Sequence, residues 1–456
     1  MKTPCSEDYI NITTPQTCMK KAVFVFRRDL RLQDNTGLIA ALKENDKVLP
    51  CFIFDPKQVK NNPYKSDNCT QFMIESIQDL EKQLKPAKLY TFYGKPEDVI
   101  KKLVKKEKIS AVYVNRDYTP FSKKRDETIS KICMLKQYDD YLLNTQVLKD
   151  DGKPYTIFTP YYKKASKTPV KKPSKNNYKN YHKTNIKTFN YKTLLKNNPQ
   201  IHQHGGRTNC IKILNNLPTN YSITHDLPSK QTTNLSAHNK FGTCSIREIY
   251  HSIEQKLGWH SPILRQLHWR DFFTQIVKNF PHVIGHAYHK KYDKITWSYD
   301  KKKFTQWCEG KTGFPIVDAG MRQLNKTGFM HNRVRMIVAQ FLTKDLHIDW
   351  KWGEKYFATK LIDYDISVNN GNWQWSASTG CDAQPYFRIF NPWRQQIKFD
   401  YRCEYIKKWV PELKDTPFYI IHSAFKQKIT GYPAPIVNHE TEARKAKEMF
   451  KHAKFK

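Results

Sequence analysis

The stretch Ala22-Val23-Phe24-Val25-Phe26 runs directly into Arg27-Arg28-Asp29-Leu30-Arg31. Five consecutive apolar residues that end at a charged turn read as a strand buried on both faces, the kind found inside a parallel sheet. The same signature predicts strands over 48–54, 88–92, 111–114 and 141–143. Between them, apolar residues three and four apart predict helices over 36–43, 71–84, 96–106 and 122–135. This alternation predicts a doubly wound α/β domain. No G-x-G-x-x-G turn follows the first strand, so a dinucleotide held on the first helix N-terminus is not supported.

The second half is built differently. All ten Trp lie at or after Trp259. From about Tyr221 the pattern is helical, with helices expected over 264–277 and 333–346. The predicted class is therefore α/β plus all-α. The expected divisions are an N-terminal extension over 1–18, ahead of Met19-Lys20-Lys21, an α/β domain over 19–150, a basic linker over 151–220 and a helical domain over 221–456. Residues 161–200 hold eleven Lys, no Arg and no acid, which reads first as a solvated, mobile connector.

Charge narrows the partner. Lys and Arg total 78 against 42 Asp and Glu, a formal +36 over 456 residues, which suits a polyanion such as nucleic acid. The polar start lacks an apolar signal core and no apolar run is long enough to span a membrane. Ten Cys without any C-x-x-C fit free thiols in a reducing, cytoplasmic setting and exclude the familiar zinc-ribbon spacings. No Ser–His–Asp, metal-ligand or phosphate-loop signature stands out.

What remains is aromatic and polar. Gln266, Trp269, Arg270 and Phe273 share one predicted helix face; a cleft for a heteroaromatic ring and a core Trp with Arg on its rim explain it equally. Asn332, Arg335 and Met336 share another face, and Asp363 or Asp365 could pair with the arginine, whether in a site or in a structural ion pair. Asn369-Asn370-Gly371-Asn372-Trp373-Gln374-Trp375 reads as an Asn-Asn-Gly turn followed by two Trp that cannot face the same way, one inward and one toward a cleft. Arg388 and Gln395 add basic and amide groups beside aromatics.

With these residues in view, the sequence closely resembles the photolyase/cryptochrome family, nearest to class I cyclobutane pyrimidine dimer photolyases. The resemblance runs from Lys20 to about His439. It rests on Phe26-Arg27-Arg28-Asp29-Leu30-Arg31-Leu32, Asp34-Asn35, Gly313-Phe314-Pro315-Ile316-Val317-Asp318-Ala319 and the run from Gly328 to Pro392. It implies an antenna domain, a connector and a helical domain that binds FAD. It implies that Tyr221, Thr232, Thr233, Asn234, Leu235 and Ser236 meet the FAD phosphates and ribityl chain, and that Arg270 helps hold the cofactor. Arg335 would pair with Asp363 beside the ring system, Asp365 would contact it, and Asn369 would face N5. Trp373, Trp350 and Trp297 would relay electrons to the flavin.

The implied reaction is light-driven repair of ultraviolet-damaged DNA by a monomer that flips the lesion out of the duplex. Trp269 and Trp375 would sandwich it, with Gln266, Asn332 and Met336 beside it and His225, Arg333 and Gln395 also at the DNA. Departures from the family pattern matter. Gln266 stands where Glu is usual, and it can donate a hydrogen bond but no proton. Asn332 and Met336 occupy the places of two His that (6-4) photolyases need, which disfavours that alternative. Phe329 replaces a common Trp, and His225 an Arg. Ile284-Gly285 replaces a Cys-Lys pair used for a folate antenna, so methenyltetrahydrofolate is disfavoured and any second chromophore is of open identity. A cryptochrome-type blue-light receptor is the competing class; a short stretch after His439 favours repair. A flavin-free DNA-binding module would be colourless.

Overall fold

The computed structural model describes residues 19–145 and 147–453; the expected extension over 1–18 lies outside them. The first half runs β1 (Lys21–Phe26), α1 (Thr36–Glu44), β2 (Lys47–Phe54), α2 (Asp67–Leu84), β3 (Tyr90–Tyr93), α3 (Pro96–Glu107), β4 (Ala111–Asn115), α4 (Pro120–Ser130) and β5 (Met134–Tyr138). The strands form one parallel sheet in the order β3-β2-β1-β4-β5, with Ala22 level with both Val48 and Ala111. Alternate residues of β1 serve different cores: Phe24 and Phe26 one face, Val23 and Val25 the other. That is why the strand reads as an unbroken apolar run. Helix starts follow capping chemistry: Asn35 accepts from the Leu38 N–H, and Ser66 from that of Cys69.

The fifth strand corrects the sequence reading. It occupies Met134–Tyr138, not 141–143, and α4 stops at Ser130 rather than 135. As an edge strand, MLKQY is only partly buried, so its polar Lys136 and Gln137 hide it from an apolar-run criterion.

The lysine-rich connector is also anchored rather than free. After α5 (Phe158–Ala165), the Val48 N–H donates to Asn180 O at 3.1 Å and His182 N–H to Val48 O at 2.8 Å. Phe189 N–H donates to Thr91 O at 2.7 Å. The chain thus covers the β3 side of the sheet, an edge that would otherwise be open to pairing. Tyr191 is buried and its hydroxyl donates to Glu81. The lysines all stay exposed, while the residues between them do the anchoring.

The helical half includes α6 (Ile246–Leu257), α7 (Pro262–Asn279), α8 (Pro315–Thr327), α9 (Asn332–Gln340), α10 (Trp350–Lys360), α11 (Ile366–Ala377), α12 (Pro392–Phe399) and α13 (His439–His452). The helix expected over 333–346 ends at Gln340 and continues as a π-helical turn, Phe341–Asp345. The Asn-Asn-Gly expected as a turn lies inside α11. Arg247 joins the halves, bonding Asp34 at 2.8 Å and Asp140 at 2.7 Å in a buried cluster that also receives Arg31.

Candidate active site

Helix α11 organises the site. Asp365 caps it, accepting from the N–H groups of Ser367 at 2.9 Å and Val368 at 3.3 Å. Asn369 is 8 % exposed and its Nδ2 donates to the Glu354 carbonyl of α10 at 3.2 Å. Its Oδ1 accepts nothing from the described residues, so that oxygen is left to meet a ligand. Four residues on, Trp373 is buried and Trp375 half-buried, as their offset around a helix requires. Gln374, between them, donates to the carbonyls of Val283 and His286 and locks the register.

Arg335 on α9 forms a two-pronged pair with Asp363, at 2.9 and 3.3 Å, and also donates to Met330 O at 2.8 Å. Asp365 is held by Arg28 and Tyr141, both bonded to one of its oxygens. Burial alone would raise its carboxyl, but Arg28, with Lys240, holds it well below the usual range. Arg270 departs from the single face expected for α7. It turns toward the α/β half, donating to Tyr141 O at 2.7 Å and Asn239 O at 3.3 Å. Residues at i and i+1 point about 100° apart on a helix, so Trp269 is directed elsewhere.

Trp269 is half-buried, with one face stacked on Phe158 at 3.5 Å and 8°. The sandwich expected from Trp269 and Trp375 is therefore limited to what its uncovered surface can offer. Trp375 lines a cleft of about 290 Å³ with Phe273, Gly371, Gln374, Cys381 and Asp382. Gln266 is exposed on the same helix as Trp269. Asn332, also exposed, contacts the Met336 sulfur at 3.9 Å. Arg333 pairs with Asp226 at 2.7 Å, next to His225, and lies over the Phe399 ring. Gln395 on α12 is half-buried, and its Oε1 has no partner among the described residues.

Trp373 packs edge-on to Phe357 at 4.9 Å and Trp307 at 6.2 Å. It also abuts Gly353, three residues after Trp350 on α10. A bridge from Ser298 to Ile348 brings Trp297 beside the start of that helix. Trp373, Trp350 and Trp297 are 2 %, 2 % and 8 % exposed and share one core. Trp307, which the sequence reading did not single out, joins them.

Tyr221 stacks on His225 at 5.4 Å. In the 232–236 stretch, Asn234 has φ +54° and its Oδ1 bonds His202, whose ring stacks on Phe329 at 4.0 Å. Thr232 and Thr233 are half-buried, Leu235 is buried and Ser236 is exposed at a helix start. Among the described residues, Arg270 Nε, Asn239 Oδ1, Gln203 Oε1 and Ser367 Oγ are buried polar atoms without a partner. Such atoms demand a polar ligand, and hydroxyls, phosphates and ring amides of a flavin nucleotide fit that demand. Sequence reading missed Arg28, Tyr141, Phe158, His202, Asn239 and Glu354 as site residues. Arg28 stood in a quoted motif, but nothing local ties it to an acid 337 positions away.

A second cleft, about 450 Å³, lies at the carboxyl ends of β1 and β4, where the strand order reverses; Arg27, Arg31, Asn115, Asp117, Asn239 and Arg270 line it. Such reversal points are where open α/β sheets bind ligands. No group of three or more metal-ligating side chains occurs among the described residues, and no described helix is long and apolar enough to cross a membrane.

An α/β half clasped to a helical half, with a site lined by tryptophan and arginine, defines a two-part protein built to hold a polar aromatic ligand, and the comparisons place it in a family. The family model for DNA photolyase matches residues 22–176, and that for the FAD binding domain of DNA photolyase matches residues 263–452. A deoxyribodipyrimidine photo-lyase of Alkalihalophilus pseudofirmus is 38 % identical, covering 94 % of this chain and 98 % of that protein. That of Escherichia coli is 32 % identical, over 92 % and 96 %. An archaeal photolyase structure from Sulfolobus tokodaii, described with two FAD molecules, superposes with a TM-score of 0.88 at 45 % identity, covering 95 % of this chain and all of that one. A Synechocystis cryptochrome superposes at 0.87 with 27 % identity, over 94 % and 99 %. The chain belongs to the DNA photolyase family.

Proposed function

We propose that the protein is a deoxyribodipyrimidine photo-lyase that uses FAD and light to split cyclobutane pyrimidine dimers in DNA. The observation that carries this reading is helix α11. It turns Asn369 with an unengaged Oδ1, Trp373 and Trp375 toward three different neighbourhoods, matching a flavin, an electron relay and a lesion cleft. When bound, FAD would supply the light-driven electron chemistry.

The protein's part is binding, orientation and charge. Arg335, fixed by Asp363, and Arg270, with a free Nε, present cations to the cofactor, and Asp365 is set in place by Arg28. Asn369 would face the flavin ring with its Oδ1, and Tyr221, Thr232, Thr233, Asn234, Leu235 and Ser236 would hold the phosphates and ribityl chain. Trp375 and the uncovered surface of Trp269 take the flipped pyrimidines, and Gln266 donates its amide N–H to them. His225, Arg333, Arg388 and Gln395 meet the strand. Trp373, Trp350 and Trp297 carry electrons inward from solvent. The cleft at the β1 and β4 ends shares Arg28, Tyr141, Asn239 and Arg270 with the flavin site and so adjoins it, leaving Arg27, Arg31 and Asn115 on the α/β side for a second chromophore such as the Sulfolobus photolyase with two FAD molecules suggests. The acting unit is a monomer, in a reducing compartment that suits the free thiols of the described cysteines.

Asn332 and Met336 carry no transferable proton, which argues against a (6-4) activity. The likeness to a cryptochrome favours the receptor reading as the second choice. Blue light on the reduced protein with a dimer-containing oligonucleotide should restore the pyrimidines. Undiminished dimer alongside normal flavin photoreduction would transfer the assignment to a receptor.

A further inference from the structure

The carboxyl of Glu354 takes no part in the binding or repair roles assigned to the site. The residue sits on α10, 5 % exposed, one residue after the glycine against which Trp373 packs. Its Oε1 accepts from Asn370 Nδ2 at 3.1 Å, while its own carbonyl accepts from Asn369 Nδ2 at 3.2 Å. The side chain and main chain of one residue thus orient both asparagines of α11. Asn370 in turn accepts from Gln374 at 3.0 Å, so a buried ladder runs from Glu354 to the residue between the two tryptophans.

This carboxyl forms no ion pair among the described residues. The charged and titratable groups that face it are few: Asp349 and Lys351 from its own helix start, Tyr64 from the segment before α2, and Tyr364 from the segment before α11. Helix α11 presents only neutral amides. Burial pushes the acid up to about 7, against the pull of Asn370 and with help from Asp349. A buried carboxylate without a cation is costly, so a negative charge arriving nearby favours the protonated form.

We propose that Glu354 is the proton-holding residue of the flavin site, taking up a proton when the cofactor, oriented through Asn369, is reduced. The proposal rests on the flavin reading. In the step, one electron from an external thiol or dithionite enters the cofactor; one proton from water adds to the Glu354 carboxylate, giving the neutral acid. The O–H bond that breaks is the water's, and the hydroxide it leaves is taken up by the buffer. Charge at the site is thereby balanced without a nearby cation having to move.

The test uses the FAD-loaded protein above neutral pH, with a reduced-minus-oxidised infrared difference spectrum. Wild type should gain a carboxylic-acid C=O band that is absent in Glu354→Gln, which keeps an oxygen for Asn370. The midpoint potential of Glu354→Gln should also lose a pH-dependent break that wild type shows near neutrality. Glu354→Asp should retain both, so the result does not hang on one variant's folding. A band that persists in Glu354→Gln, or is missing from wild type, overturns the proposal. Failure of wild type to bind FAD at all overturns the functional reading instead. In flavin-free protein, wild type should show an acid titrating near neutral pH that Glu354→Gln lacks.

Discussion

Gly371 on α11 lies against the ring of Phe273 on α7 so closely that a Cβ there would sit 2.1 Å from Cδ1. A mid-helix glycine is unfavourable by about 0.5–1 kcal/mol relative to alanine. Here the helix accepts that because the two backbones must approach, and the approach builds the wall of the cleft beside Trp375. Gly371→Ala should therefore destabilise the protein by roughly 1–3 kcal/mol through overpacking, despite its better helix propensity. Denaturant unfolding checks this; an alanine variant as stable as wild type contradicts the contact.

Trp373→Phe should slow light-driven reduction of oxidised flavin severalfold while leaving repair by already reduced protein intact. Transient absorption and dimer repair, measured on the same preparation, separate the two. An equal loss in both would place Trp373 in the core alone.

Asp363→Asn leaves Arg335 without its charged partner. Hydrogen bonds to charged groups are worth roughly 1.5–3 kcal/mol, a factor of about 10–100 in affinity. FAD retention on dialysis should fall within that range. Undiminished retention would show that the ion pair is structural only.

Arg388 is exposed in the loop before α12 and makes no ion pair among the described residues. If it neutralises one phosphate, Arg388→Gln should reduce the log–log salt slope of duplex binding by about 0.9. An unaltered slope removes Arg388 from the DNA face.

His238 is fully buried, bonded to Thr243 at 2.7 Å, and burial lowers its pKa to about 3. Between that value and the ordinary 6.5, the unfolded chain holds a proton that the folded one refuses. Stability attached to this histidine is thus present above pH 6.5 and lost as pH falls toward 3. The stability difference between wild type and His238→Asn should shrink on acidification over that window. A constant difference would mean His238 is protonated in the native fold.

Much of the fold was legible because it is periodic. Strands β1, β2 and β4 are mostly buried apolar runs, and the helices between the strands carry their spacing in the sequence. That Trp373 and Trp375 face different ways followed from their one-residue spacing, whereas the residues alone left Arg335 a choice between Asp363 and Asp365, which the structure resolves as Asp363. β5 was misplaced because an edge strand needs no continuous apolar face. The connector was misread because its few anchors, Asn176, Asn180, Phe189 and Tyr191, are outnumbered by exposed lysines.

The chain's order of residues alone determined the alternation of elements, the caps and which side of each helix turns inward, since these depend on neighbours within a few positions. Only the tertiary structure decided that Arg28 would seize Asp365, that Phe158 would cover one face of Trp269, and that Glu354 would hold two asparagines of another helix. Those contacts join residues far apart in the chain, and their energies come from burial and geometry, which no local pattern encodes.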